Sequence, residues 1–297
     1  MSATVAVAQP APPARQRRFT VLRQAIAFGR TRIGLAIVVA VSLIALAGPL
    51  VAPHSPTVFV AAPYAPPSAK VLFGADYLGR DVLSRFLCGG RVILGLSLAA
   101  TAIGLAGGIA VGLLAAYGRG WLDELLMRLM DVLLAFPQIV FVLLLVSAFG
   151  PQLWLIVLTV GLSHLPRVAR VTRGAALEVV ERDFVKSAEA LGETRTRILL
   201  AEVLPNISSP LLVEFGLRLT YSIGLIAAVS FLGFGLQPPA ADWGLMINEN
   251  RIGLTLQPWP VVLPVLAIGL LTVGMNLVTD GIARAAIGLG AAPAMPR

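Results

Sequence analysis

The chain has 297 residues, of which 57% are hydrophobic and only 13% charged, and its mean hydropathy is +0.87. Soluble domains carry about 25% charged residues, so these proportions exclude an ordinary water-soluble enzyme or binding module and point to a bilayer as the main solvent. The formal charge of +8 is therefore read first as asymmetry across a membrane rather than as a nucleic-acid footprint. The single cysteine, Cys88, excludes an intrachain disulfide and a cysteine-held metal.

Residues 1–32 are Ala/Pro-rich to Pro13 and then carry Arg15, Arg17, Arg18, Arg23, Arg30 and Arg32 without an early apolar core. They read as a disordered basic segment, not a cleavable signal peptide. A crossing helix needs about 20 apolar residues, and six runs approach that length. The first, 33–51, stops before Pro53 and is followed by a polar outer stretch to about residue 90. Within that stretch, 81–90 is predicted to be an amphipathic helix at the outer interface, its arginines reaching lipid headgroups. The second run is 92–117, the third 131–149 with Pro137 inside it, and the fourth 152–165, ending at Pro166. The fifth is 211–236 and the sixth 261–282.

Six crossings put both termini on one side, and the basic residues say which. Six arginines precede the first run, Arg119 and Arg128 follow the second, seven basic residues lie between Arg167 and Arg197, and Arg284 and Arg297 close the chain. The other side holds only Lys70, Arg80, Arg85, Arg91 and Arg251. Retention of lysine and arginine in the cytoplasm makes both termini cytoplasmic. The chain then divides into the basic segment 1–32, a first span with its outer loop at 33–90, a core at 91–284 and a cytoplasmic tail at 285–297.

No G-x-x-x-x-G-K-[ST] pattern occurs, so this chain lacks the usual phosphate cradle for ATP. His54 and His164 have no neighbours at metal-ligand spacing. The runs are nearly empty of charge, which argues against a proton-coupled transporter acting alone, and no nucleophile or acid/base set argues for a membrane enzyme. Glu214 and Arg218 are the exception, four residues apart on one helix face as an ion pair that anchors the fifth run. Gly104, Gly108 and Gly112 form a smooth stripe against which another helix can pack closely.

The segment 166–205 is too long for a bare connection. Residues 181–191 read as an amphipathic helix with Gly192 as its cap, and Thr194 as N-cap of a second helix that ends before Pro205. Its mixed charge suits either a docking surface or a solvated hairpin.

The stretch DFVKSAEALG at 183–192, followed by EVLPN at 202–206, resembles the cytoplasmic signature loop of ABC importer membrane subunits. It departs from the general form at Lys186, Ser187 and Glu202. FGADYLGRDVLSR at 73–85, MRLMDVLLAFP at 127–137 and SFLGFGLQPP at 230–239 with DWG at 242–244 resemble the C-type permease of the dipeptide, oligopeptide and nickel class.

The resemblance implies an all-α polytopic protein with the type I importer permease fold in a bacterial or archaeal cytoplasmic membrane. It further implies a homologous permease as heterodimer partner, two ATPases using ATP and Mg in their own chains, and a periplasmic or lipid-anchored binding protein. No cofactor is expected in this chain, and nucleic acid is not a partner. By the same resemblance Ala188, Glu189, Ala190, Gly192, Leu204 and Pro205 form the ATPase-coupling loop. Trp243 and Asn248 would meet the binding protein, with plain interfacial anchoring of Trp243 as the other reading.

Overall fold

The computed structural model describes residues 14–118 and 120–288, and among them the chain is helical with no strand. In order come α1 (Ala14–Ala27), α2 (Gly29–Val51), α3 (Val82–Gly118), α4 (Gly120–Leu134), α5 (Gln138–Phe149), α6 (Leu153–Val180) and α7 (Asp183–Ala190). They are followed by α8 (Arg195–Arg197), a π-helical turn (Ile198–Val203), α9 (Leu204–Asn206), α10 (Ser208–Phe231), α11 (Trp243–Asn250) and α12 (Trp259–Ile287).

Helices α2, α3, α6, α10 and α12 are long and apolar enough to cross a bilayer, and α4 with α5 makes a sixth crossing bent by 80°. That bend corrects the single run expected at 131–149. Pro137 has no N–H to continue α4 and instead caps the start of α5 with φ −56°.

Three further expectations are corrected. The predicted interfacial helix at 81–90 is instead the first turns of α3, a continuous helix of 37 residues. Pro166 does not end the fourth crossing, because α6 runs 28 residues straight through it. One lost backbone hydrogen bond is tolerable where a neighbouring helix encloses the site, and Pro166 is buried. The basic segment is not disordered throughout: α1 forms there, and Val21 and Ala25, one helical turn apart, close on Ala285 of α12. Residues 1–13 and 289–297, which include most of the expected tail, lie outside the described residues.

The glycine stripe does what its spacing predicts. A Cβ on Gly104 would lie 2.7 Å from the Gly161 carbonyl oxygen, on Gly108 2.5 Å from the Val168 Cβ, and on Gly112 2.6 Å from the Ala169 carbonyl oxygen. The α3 and α6 backbones therefore approach closely along three turns. Close approach is how helices gain van der Waals energy in lipid, where burying apolar surface offers no advantage. Ile93, Ala100, Val142, Val160, Ile223 and Leu271 fill the core between the crossings.

Each end of the bundle has its own structure. At one end, residues 52–81 and α11 form a cap around a buried ion network. Asp76 Oδ1 accepts the backbone N–H groups of Leu78 and Arg80, and its Oδ2 accepts from Arg80 Nε at 2.7 Å. Glu249 Oε2 accepts from Arg80 Nη2 at 3.1 Å and Arg85 Nη2 at 2.7 Å, and Tyr77 donates to its other oxygen. Both guanidinium groups are sealed, at 1% and 0% exposure, so they do not reach headgroups as expected. Burial, then the Glu249 carboxylate, pushes the Tyr77 hydroxyl above the ordinary phenol range. At the other end α7 to α9 fold back on the tips of α3 and α6.

Candidate functional site

The folded-back hairpin begins where Asp183 opens α7. Val185, fully buried, drops into a cluster of Leu113, Ala116, Val179, Ile198 and Val203. Removing such a side chain from water stabilises the fold by about 2 kcal/mol, and this contact seats α7 on α3 and α6. The helix ends in a Schellman turn: Glu193 N–H donates to the Ala188 carbonyl and Gly192 N–H to the Glu189 carbonyl. Gly192 has φ +80° with nothing near its Cβ position, so its glycine is required by backbone conformation alone. Thr194 Oγ1 accepts from Arg197 N–H at 3.4 Å as the expected cap of the next helix.

That helix does not end before Pro205, as the sequence suggested. It widens into the π-helical turn and continues into α9, with Pro205 in the first turn. Inside that continuous run Pro205 forgoes one backbone hydrogen bond, while Leu204 N–H just before it still reaches back to the Leu199 carbonyl.

Of the residues named for coupling, Ala190 and Gly192 are exposed, Ala188, Leu204 and Pro205 are half-buried, and Ala188 and Leu204 pack on the Val185 cluster. Glu189 has a partner the sequence did not suggest: Tyr117, at the tip of α3, donates to its Oε1 at 2.8 Å. The outward face carries Leu191 at 84% exposure and Phe184 at 39%. A groove of about 440 Å³ between α7 and the following turn is lined by the apolar Phe184, Ala188, Leu191 and Ile198 and by the polar Ser187, Glu193, Arg197 and Glu202. Exposed leucine and phenylalanine beside a groove lined in part by charges, on an element anchored from behind, make a surface fit to receive a partner of mixed apolar and charged character.

Glu214 and Arg218 form the expected ion pair, Oε2 to Nε 3.0 Å, and the guanidinium lies over the Tyr221 ring. The expectation for Trp243 is corrected: it is fully buried, stacked on Phe86 at 5.6 Å, and its Nε1 donates to the Phe86 carbonyl at 2.8 Å. Neither a lipid headgroup nor a binding protein can touch that ring. Asn248 is half-buried on the cap and accepts from Arg251. Below them Asp242 caps α11, accepting from Leu245 N–H, and burial raises its carboxyl above the ordinary aspartate range despite that bond and one from Ser230.

Both histidines have company the sequence hid. His54 Nδ1 lies 3.4 Å from Asp81 Oδ2, and His164 sits between Gln138 and Ser222. These partners come from other elements, and no local spacing reveals them. Among the described residues no three His, Cys, Asp or Glu side chains converge on a metal position.

Comparison with known proteins agrees with this arrangement. The family described as binding-protein-dependent transport system inner membrane component matches residues 108–286. The glutathione transport system permease protein GsiD of Pectobacterium atrosepticum is 38% identical over 216 residues, covering 73% of this chain and 72% of that protein. Its Escherichia coli counterpart is 40% identical over 216 residues, covering 73% and 71%. A chain of the inward-facing MetNI methionine ABC transporter superposes with a TM-score of 0.52 at 18% identity, over 67% of this chain and 96% of that one, a likeness of fold. With a family match over more than half its length and relatives near 40% identity, the chain belongs to the binding-protein-dependent transport system inner membrane components, the inner-membrane permeases of ABC importers.

Proposed function

We propose that this permease carries small peptides, glutathione among them, across the inner membrane as half of a heterodimer with a homologous permease. Its termini and the α7–α9 hairpin face the cytoplasm, where two ATPase subunits dock and supply ATP and Mg chemistry from their own chains. Ala188, Glu189, Ala190, Gly192, Leu204 and Pro205 build the docking element, and the exposed Leu191 and Phe184 are its contact. A periplasmic or lipid-anchored binding protein delivers substrate to the cap, where Asn248 and the exposed Ile252 form the accessible rim.

The observation that carries this reading is the hairpin itself: an apolar tip held out from the bundle, closed by a glycine turn and tied to α3 through Tyr117 and Glu189. A rigid element of this kind can link closure of the ATPases to movement of the crossings, provided its contacts differ between the two states.

The test is ATP hydrolysis stimulated by binding protein, in a complex of this chain with its partner permease and both ATPases. Leu191→Asp and Gly192→Val should lose stimulation by about tenfold or more while the complex still co-purifies. Full stimulation and uptake in both variants, or uptake by this chain without any ATPase, would overturn the reading.

A further inference from the structure

Behind Pro137 the first residue of α5, Gln138, ends a buried relay. Its Nε2 lies 3.1 Å from the Ser163 carbonyl oxygen and 3.3 Å from His164 Nδ1. With both amide hydrogens engaged, Nδ1 accepts, so His164 Nε2 donates to Ser222 Oγ at 2.9 Å, which in turn reaches Thr101 Oγ1 at 3.0 Å. His164, Ser222 and Thr101 are all fully buried. Gln138 Oε1 is left over: among the described residues it accepts no hydrogen bond.

That side chain is half-buried and borders a groove of about 450 Å³ between α5, α10 and α12, shared with Thr220, Tyr221, Gly224, Thr272 and Asn276. Tyr221 is 52% exposed, and the Asn276 carboxamide is exposed with no hydrogen bond among the described residues. Tyr221 lies about 20 Å along α10 from its hairpin end and Asn276 about 17 Å along α12, each within the apolar stretch of a helix long enough to cross a bilayer. The exposed face of α2, by contrast, carries Val39, Leu43, Leu46 and Leu50. Two carboxamides and a phenol turned to lipid at that depth would leave polar groups unsatisfied. Against a peptide they are well matched, since a carboxamide offers the same donor and acceptor as a peptide bond and ignores side-chain charge.

We propose that this groove is the wall this subunit contributes to the substrate path, and that Gln138 Oε1, fixed by the His164–Ser222–Thr101 relay, accepts a backbone N–H of the passing peptide. Tyr221 and Asn276 are further contacts, and His164 is a positioning residue. The inference rests on the reading of the chain as a peptide permease.

The test uses the reconstituted complex in proteoliposomes, with glutathione and a set of two- to five-residue peptides as probes. Gln138→Leu and Asn276→Leu should each lower peptide imported per ATP hydrolysed by about tenfold, the worth of one such hydrogen bond, with binding-protein-stimulated hydrolysis intact. Gln138→Leu should also raise KM for peptide, His164→Leu should raise it likewise, and the two together should cost little more than either alone. In a Cys88→Ser background, Asn276→Cys should react with a charged, membrane-impermeant maleimide during turnover. Unchanged import per ATP in both leucine variants, or labelling at 276 by a lipid-soluble reagent alone, would overturn the site. A wild-type complex that imports none of the peptides while hydrolysing ATP would instead overturn the peptide reading, and this inference with it.

Discussion

The cap and the hairpin use the same residue types in opposite ways. At the cap, Asp76 and Glu249 face Arg80 and Arg85 in a balanced set sealed from water. At the hairpin end, Lys186 with Glu181, Arg197 with Glu193 and Arg170 with Asp131 pair on the surface. Exposed pairs contribute about 0–1 kcal/mol and exchange readily with solvent or a partner's charges. A sealed set cannot exchange, because separating any member strands a charge where water cannot reach it. The cap is therefore built to keep one shape, and the hairpin to present a surface that a second protein can re-pair.

The sharpest way to break that contrast is Glu249→Ala. It leaves two buried guanidinium groups facing the single carboxylate of Asp76, and should destabilise the purified protein by about 3–5 kcal/mol, read as a fall in the thermal midpoint in detergent. Loss below about 1 kcal/mol would mean the cap is open to water. Val185→Ala, which empties the anchor of the hairpin, should cost about 2 kcal/mol and loosen α7 first, seen as faster amide exchange at 183–193. Smaller still is a pH effect at the cap. The folded-state carboxyl of Asp242 is raised by burial, so the stability it supports is present below the ordinary aspartate value and is lost as pH rises through the raised one. That decline should vanish in Asp242→Asn. Leu191→Asp should leave stability within about 0.5 kcal/mol, since the side chain is 84% exposed, even where coupling is lost.

What the sequence revealed was what depends on near neighbours. The apolar lengths located the crossings, the four-residue glycine spacing located the α3–α6 contact, and Gly192 with Thr194 located the turn of the hairpin. What it hid depends on partners far along the chain. Arg80 and Arg85 looked like interfacial cations because Glu249 lies more than 160 residues away. Trp243 looked like a surface aromatic because nothing nearby announces Phe86 as its stacking partner. Prolines misled in both directions. Pro166, buried against its neighbours, leaves its helix intact, while Pro137, exposed at the bend, breaks one. The difference in burial, not the proline itself, separates the two cases.

The unbroken run of α3 joins the two ends described above. Arg85 near its start is held in the cap network, and Tyr117 near its finish holds the hairpin through Glu189. At 1.5 Å per residue its 37 residues make a rod of about 55 Å. A tilt of about 10° around the midpoint of such a rod carries each tip about 5 Å, in opposite directions. With one helix fastened at both extremities, a few ångströms of push on the hairpin become an equal and opposite stroke at the cap.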